Sequence, residues 1–311
     1  MGTGKGYGKT ILFGEHFVVY GLPAIASALG SFTTADIKIV KGNGWTIDDQ
    51  RPATPGYKKK KYDEGIQSVI NVINYLKIDT ENQKLEITFA GDLVAASGVG
   101  ASAAQCTSLG RALNDSFDLQ LSDEEINVAA YEGEKAYHGT PSGIDNTAST
   151  YGGLIWFVKN LSGGKNTIDL LQSPKKMPLV IANSGITTST AEVVADVRRL
   201  KEENPQKFKN IFNEYEGLAK EAKKALLKGD IFSIGNLMNQ NHKLLQDITV
   251  SGEINDKLVG IALKNGAIGA KMTGTGRGGL VIALVENEEI QEKIANAIEN
   301  EGYNAWKTMI G

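Results

Sequence analysis

Apolar and polar residues alternate with a period of two over residues 35–40 and 85–89, where β-branched side chains recur at every second position. That spacing predicts strands with one buried face. Near the start, Thr10-Ile11-Leu12-Phe13 and Phe17-Val18-Val19-Tyr20 read as two further strands around the turn Gly14-Glu15-His16. The period changes over residues 62–76, where Ile66, Val69, Ile70, Val72 and Ile73 mark one face of a helix. A second helix is predicted over 103–114. A third opens after Ser122, whose hydroxyl can cap the first amides while Glu125 completes a capping box; it runs to about Tyr137, where Gly139 and Pro141 stop it.

A glycine-rich stretch, 152–165, separates this half from a second one. There the pattern predicts a strand over 177–182, then long helices over 190–202, 205–227 and 232–245. Strands over 267–272 and 280–285 flank Gly274 to Gly279, and a last helix over 288–300 follows the N-cap residue Asn287. The succession is α+β, a mixed N-terminal half and a helix-rich C-terminal one. At 311 residues the chain exceeds what one core usually carries, so two domains are expected, with the change near residues 165–180.

Composition narrows the partners. Thirty-three basic against 36 acidic residues give a net charge of -3, with no electrostatic footprint for nucleic acid or an anionic membrane. The run Lys58-Lys59-Lys60-Lys61 reads as a solvated loop. Cys106 is the single cysteine, which excludes an internal disulfide and a multi-cysteine metal site; among Ala103, Ala104 and Leu109 it reads as an inert core thiol. Residues 1–7 lack the apolar core of a signal peptide, and no apolar stretch approaches the ~20 residues of a membrane helix. A cytoplasmic location is expected.

Two short motifs fail on context. Gly8-Lys9-Thr10 resembles the end of a Walker A loop, but Thr3 stands where its first glycine belongs, and a strand follows where a helix is required. Gly274-Thr275-Gly276-Arg277-Gly278-Gly279 satisfies GxGxxG, yet it too leads into a strand.

Three other segments carry chemistry. Ser97-Gly98-Val99-Gly100-Ala101-Ser102-Ala103 leads straight into a helix. Small residues and free first-turn amides make an anion site there, and the Ser102 hydroxyl could reach a phosphate-bound metal; tight helix–strand packing explains the small residues equally well. Glu134 and Asp145, eleven apart across the turn His138-Gly139-Thr140-Pro141-Ser142-Gly143, can converge, one toward Mg²⁺ and one toward a hydroxyl. Taken alone, a solvated glutamate and a turn-capping aspartate describe them as well. Lys9 opens an apolar strand, where it can stabilise negative charge; His16, between apolar runs, reads by itself as a structural histidine.

The order of these segments resembles that of the GHMP kinases over essentially the whole chain. Val99-Gly100-Ala101-Ser102-Ala103-Ala104 is similar to the family's GLGSSAA loop, and Lys271-Met272-Thr273-Gly274-Thr275-Gly276-Arg277-Gly278-Gly279 to its KLTGAGGGG. Within the superfamily, residues 8–21 and the HGTPSGIDN turn, 138–146, resemble the mevalonate kinase branch, as does the segment from Asn183 to Arg198. The resemblance implies a two-domain GHMP fold: an N-terminal ATP/Mg-binding domain (1–175) and a helix-rich, ferredoxin-like α+β domain (176–311), with the active site in the cleft between them. It implies phosphorylation of (R)-mevalonate by ATP to 5-phosphomevalonate in isoprenoid biosynthesis. Asp145 would act as base or orienting carboxylate and Lys9 as charge stabiliser. ATP would lie on Ser97, Gly98, Val99, Gly100, Ala101, Ser102 and Ala103, with Mg²⁺ on Ser102 and Glu134. The acceptor would meet His16, Glu15, Thr190, Gly274 and Thr275, and a homodimer is expected. The alternatives are a GHMP kinase for phosphomevalonate, homoserine or a sugar, or a non-catalytic sensor; intact Lys9, Ser102, Glu134 and Asp145 speak against the sensor. The chain departs from the pattern at Tyr7 and Val94 or Ala95, where the family has proline, at Ala101, where it has serine, and at Thr275 and Arg277, where it has small residues. Arg277 could add a phosphate or substrate contact or point to solvent.

Overall fold

Glycine occupies every even position from 2 to 8, and the first strand, β1 (Gly2–Phe13), begins there, eight residues earlier than the apolar pattern predicts. The structure, a computed structural model, describes residues 1–95 and 98–311; Ser97, expected on the phosphate loop, lies outside the described residues. The remaining strands are β2 (Ala24–Val40), β3 (Gly44–Asp49), β4 (Lys84–Gly91), β5 (Leu154–Val158), β6 (Thr167–Leu171), β7 (Met177–Asn183), β8 (Gly269–Thr273), β9 (Leu280–Leu284) and β10 (Asn304–Ile310). The helices are α1 (Tyr57–Lys60), α2 (Tyr62–Tyr75), α3 (Ala101–Phe117), α4 (Asp123–His138), α5 (Ile144–Tyr151), α6 (Thr190–Glu203), α7 (Pro205–Lys228), α8 (Ile231–Asp247), α9 (Glu253–Lys264) and α10 (Glu288–Asn300). The described residues fall into two compact units, one of Met1–Lys9 with Ala28–Gly152, the other of Thr10–Ser27 with Gly153–Gly311. In this division residues 10–27 pack with the later part of the chain, a grouping that no linear pattern reveals.

In the first unit, β4 lies between antiparallel β2 and parallel β3. Ala35 and Ile37 of β2 and Leu85, Ile87 and Phe89 of β4 point to one face, as the period of two requires. They meet Val69, Val72 and Ile73 of α2 and Cys106, Leu109 and Leu113 of α3. Each large aliphatic buried this way contributes about 1.5–3 kcal/mol. Cys106 is buried, and burial pushes its thiol well above the usual range, as an inert core residue requires. The glycines of β1 let its backbone abut α3: a Cβ at Gly4 would come 2.1 Å from Ser108 O, and one at Gly6 2.3 Å from Ala104 O. The alternation that turns these glycines to α3 sends Lys5, Tyr7 and Lys9 to the other side of the strand. The Ser122–Glu125 capping box forms as predicted.

In the second unit an antiparallel sheet runs β10-β7-β9-β8, with α8 and α9 against β8 and α10 against β7 and β10. Residues Ala24 to Ser27 of β2 pair with β5, which pairs with β6. Phe17 stacks on Tyr215 of α7 at 3.9 Å between ring centroids, and the Tyr215 hydroxyl donates to Pro23 O at 2.7 Å.

Several local expectations change. Phe17–Tyr20 is a 3-10 turn and not a strand: His16 takes φ 58°, Gly21 takes φ 76°, and adjacent Phe17 and Val18 are both buried, a pattern no strand of period two allows. The lysine run is helical over Tyr57–Lys60, and Lys58 and Lys61 pair with Asp49 and Glu64. Asp145 stands in the first turn of α5, where the sequence suggested an irregular turn. The glycine-rich stretch contains β5, whose apolar residues are continuous because both faces are covered. Strands β3, β6 and β10 and helix α9 were not read from sequence. Among the described residues, no helix is long and apolar enough to cross a membrane.

Candidate active site

Lys9 is the last residue of β1 that belongs to the first unit, and its backbone N–H donates to Val99 O at 2.8 Å, which fixes the strand beside the entrance of α3. The Lys9 side chain is only 4% exposed, and its Nζ lies 3.1 Å from Asp145 Oδ1. Gly100, at φ 72°, is the N-cap of α3, and among the described residues no side chain caps the helix, so its first amides and the positive end of its dipole are suited to an anion. Val99, Ala101 and Ala103 are buried around this turn, Ser102 is 9% exposed, and Gly98 is exposed.

Glu134, on α4, is 1% exposed. Burial first, and the charge of Asp145 second, push its carboxyl up to about 8, against the opposing effects of the Ser102 hydroxyl and the Lys9 charge. Glu134 Oε1 has no hydrogen-bond partner among the described residues. His138 Nε2 stands 3.7 Å from Oε2, with its own pKa lowered chiefly by burial. A buried carboxylate oxygen without a partner, beside a hydroxyl oxygen, is a hard-donor pair suited to Mg²⁺, which takes few protein ligands and completes its shell with phosphate and water. Among the described residues no cluster of three or more His, Cys, Asp or Glu forms a self-sufficient metal site.

Asp145 is held through its neighbour. Asn146 is buried, and its Nδ2 donates to Asn127 Oδ1 at 2.6 Å; Thr147 donates to Gly143 O at 2.6 Å. Asn127 and Glu134 are two helical turns apart on α4, so the same face that carries the glutamate anchors the start of α5.

The second unit gathers the remaining residues. His16 is buried and its Nε2 lies 2.7 Å from Thr275 O. Because a carbonyl can only accept, Nε2 carries the proton, and Nδ1 has no partner among the described residues. Burial lowers the His16 pKa against the Thr275 backbone bond, with the Arg277 charge adding to the effect, which favours the neutral ring. Thr190 and Thr275 share a hydroxyl–hydroxyl bond of 2.7 Å. Gly274, at φ 83°, has open space where a side chain would stand. Glu15 is turned inward: it is buried and forms an ion pair with fully buried Lys271, which also donates to Met272 O at 2.7 Å. Thr273, two residues on, accepts from Ile11 N–H at 3.2 Å and donates to Ile11 O at 2.9 Å. Arg277 is bound to Asp196 and Thr249.

The sequence reading gave no role to Lys271, Asn127, Asn146 or Asp196. Lys271 had a signal: a lysine inside the run Ala267 to Met272 must find a buried partner. Asn146 closes the HGTPSGIDN turn, but Asn127 had no signal, since a polar residue at a helix position is ordinarily solvated.

Residues 67–153 match the GHMP kinases N terminal domain and residues 222–304 the GHMP kinases C terminal domain. The chain is similar to the mevalonate kinase of Thermococcus sibiricus (strain DSM 12597 / MM 739), at 33% identity covering 94% of this chain and 91% of that one. Among solved structures it is similar to L. major mevalonate kinase in complex with R-mevalonate, at 41% identity and a TM-score of 0.96 over 100% of this chain and 96% of that one. Methanococcus jannaschii mevalonate kinase follows the same fold at 26% identity and a TM-score of 0.80, covering 99% of this chain and 98% of that one.

Proposed function

Because the chain belongs to the mevalonate kinase family of the GHMP kinases, we propose that it transfers the γ-phosphoryl group of ATP to the primary hydroxyl of (R)-mevalonate, giving 5-phosphomevalonate and ADP. The observation that carries the proposal is the contact of buried Lys9 with Asp145, 3.1 Å between Nζ and Oδ1. An amine and a carboxylate so paired can flank one alcohol oxygen. Asp145 orients the hydroxyl and accepts its proton as the oxygen attacks phosphorus; Lys9 balances the negative charge that develops on the oxygen and the phosphoryl group. The new O–P bond forms as the bond from phosphorus to the ADP oxygen breaks. The amides at Gly100 to Ala103 hold phosphate oxygens, aided by the α3 dipole.

Mg²⁺ would be held by Glu134 and Ser102, and when bound it neutralises phosphate charge. Neutral His16, with Nδ1 free to accept, is suited to an acceptor hydroxyl, and the Thr190 and Thr275 hydroxyls to its carboxylate. Glu15, committed to Lys271, supports this subsite from behind; direct contact with the acceptor would require the pair to open.

The test is ADP release by the purified protein, supplied in turn with (R)-mevalonate, phosphomevalonate, homoserine and galactose. Turnover with mevalonate well above the other three is expected; no ADP from mevalonate ends the proposal.

A further inference from the structure

Arg277 stands where the GHMP pattern has a small residue, and each of its three guanidine nitrogens faces an acceptor of this chain. Nε donates to Thr249 O at 3.0 Å, Nη1 to Asp196 Oδ2 at 2.6 Å, and Nη2 to Thr249 Oγ1 at 3.4 Å. Its backbone N–H donates to Val250 O at 2.8 Å. The residue takes φ 51°, a left-handed conformation that costs an arginine energy and persists where its surroundings enforce it.

The pair with Asp196 acts on α6, a helix with little other attachment. Of its 14 residues only Val193 and Val197 are buried. Three consecutive residues of the glycine segment reach this part of the chain. The Thr275 hydroxyl bonds that of Thr190 at 2.7 Å, Gly276 O accepts from Thr188 Oγ1 at 2.7 Å, and Arg277 holds Asp196. Of the three, only the last is charge-assisted, and such bonds are roughly twice as strong as neutral ones. The glycine segment is itself anchored, since Asn255 Nδ2 donates to Gly278 O at 2.7 Å and Gly278 N–H to Asn255 Oδ1 at 2.8 Å. The fixed partner is therefore the glycine segment, and the element being held is the start of α6.

We propose that Arg277 is a positioning residue for the acceptor: by gripping Asp196 it holds the first turns of α6, and with them the Thr190 hydroxyl, against residues 275–277. It is a strut and not a phosphate ligand. The inference rests on the reading of Thr190 and Thr275 as acceptor-binding groups.

Arg277→Gln, Asp196→Asn and the double variant are compared with the parent protein by steady-state kinetics at low and high sodium chloride, and by amide hydrogen exchange over residues 190–197 without substrates. Each single change is expected to raise KM for (R)-mevalonate about threefold to fivefold, the range of a partly exposed ion pair, and to move KM for ATP less than about twofold. The double variant should be no worse than the worse single one, because both remove the same contact. High salt should bring the parent KM toward that of the variants. Exchange over 190–197 should quicken in all three. A raised KM for ATP in Arg277→Gln, with Asp196→Asn behaving as the parent, would make Arg277 a phosphate ligand and overturn the proposal; so would unchanged exchange over 190–197. Failure of the parent protein to phosphorylate mevalonate would strike the functional reading instead, and the exchange rates would still decide whether the strut exists.

Discussion

The stem of Lys9 fills the space that a side chain on Gly100 would need: a Cβ there would stand 2.6 Å from Lys9 Cγ. Gly100 also takes φ 72°, so it answers two demands, the left-handed turn that opens α3 and the passage of the lysine toward Asp145. Gly100→Ala should displace Nζ from Asp145 and lower kcat about a hundredfold, since a shift of ~1 Å at a reacting group costs on that order. A kcat near that of the parent protein would show that the contact does not matter to turnover.

Asp145→Ala should lower kcat by about two to four orders of magnitude, the usual range for removing a positioned base, while ATP still binds. Lys9→Met should do the same. Because the two act as one unit, the double variant should lose little more than either single one. Losses that multiply would separate them into independent roles.

Glu134 makes apoprotein stability depend on pH. Its folded-state pKa is raised from the model-compound 4.5 to about 8. The native state therefore holds a proton that the unfolded chain has released between those values. The stabilisation is complete below about 4.5 and is lost as pH rises through about 8. In thermal melts without Mg²⁺, Tm of the parent protein should fall across this window and that of Glu134→Gln should stay flatter. Added Mg²⁺ should recover the parent's Tm at the alkaline end and leave the variant's unchanged. Parallel profiles would remove Glu134 from both arguments.

Lys271 and Glu15 lie 256 positions apart in sequence, and their ion pair is fully buried. Lys271→Met strands a buried carboxylate and should cost roughly 3–5 kcal/mol in urea unfolding. Lys271→Met combined with Glu15→Leu removes both charges and should recover most of that loss. If the single and double variants are equally unstable, the pair is not what the carboxylate requires.

The sequence by itself determined the α+β class, most of the helices, the capping box at Ser122 and the set of segments that carry chemistry. These depend on the period of apolar residues and on local rules for caps and glycines, which need only a few neighbouring residues. The family followed from the order of those segments. Tertiary structure decided the rest. It turned Phe17–Tyr20 from a strand into a buried turn on Tyr215, directed Glu15 to Lys271, attached Arg277 to Asp196 and set Asn146 on Asn127 behind Asp145. Each of these is a contact between residues distant along the chain. A buried charge or amide needs a partner, and which partner it meets depends on how the elements pack, a relation that no local pattern encodes.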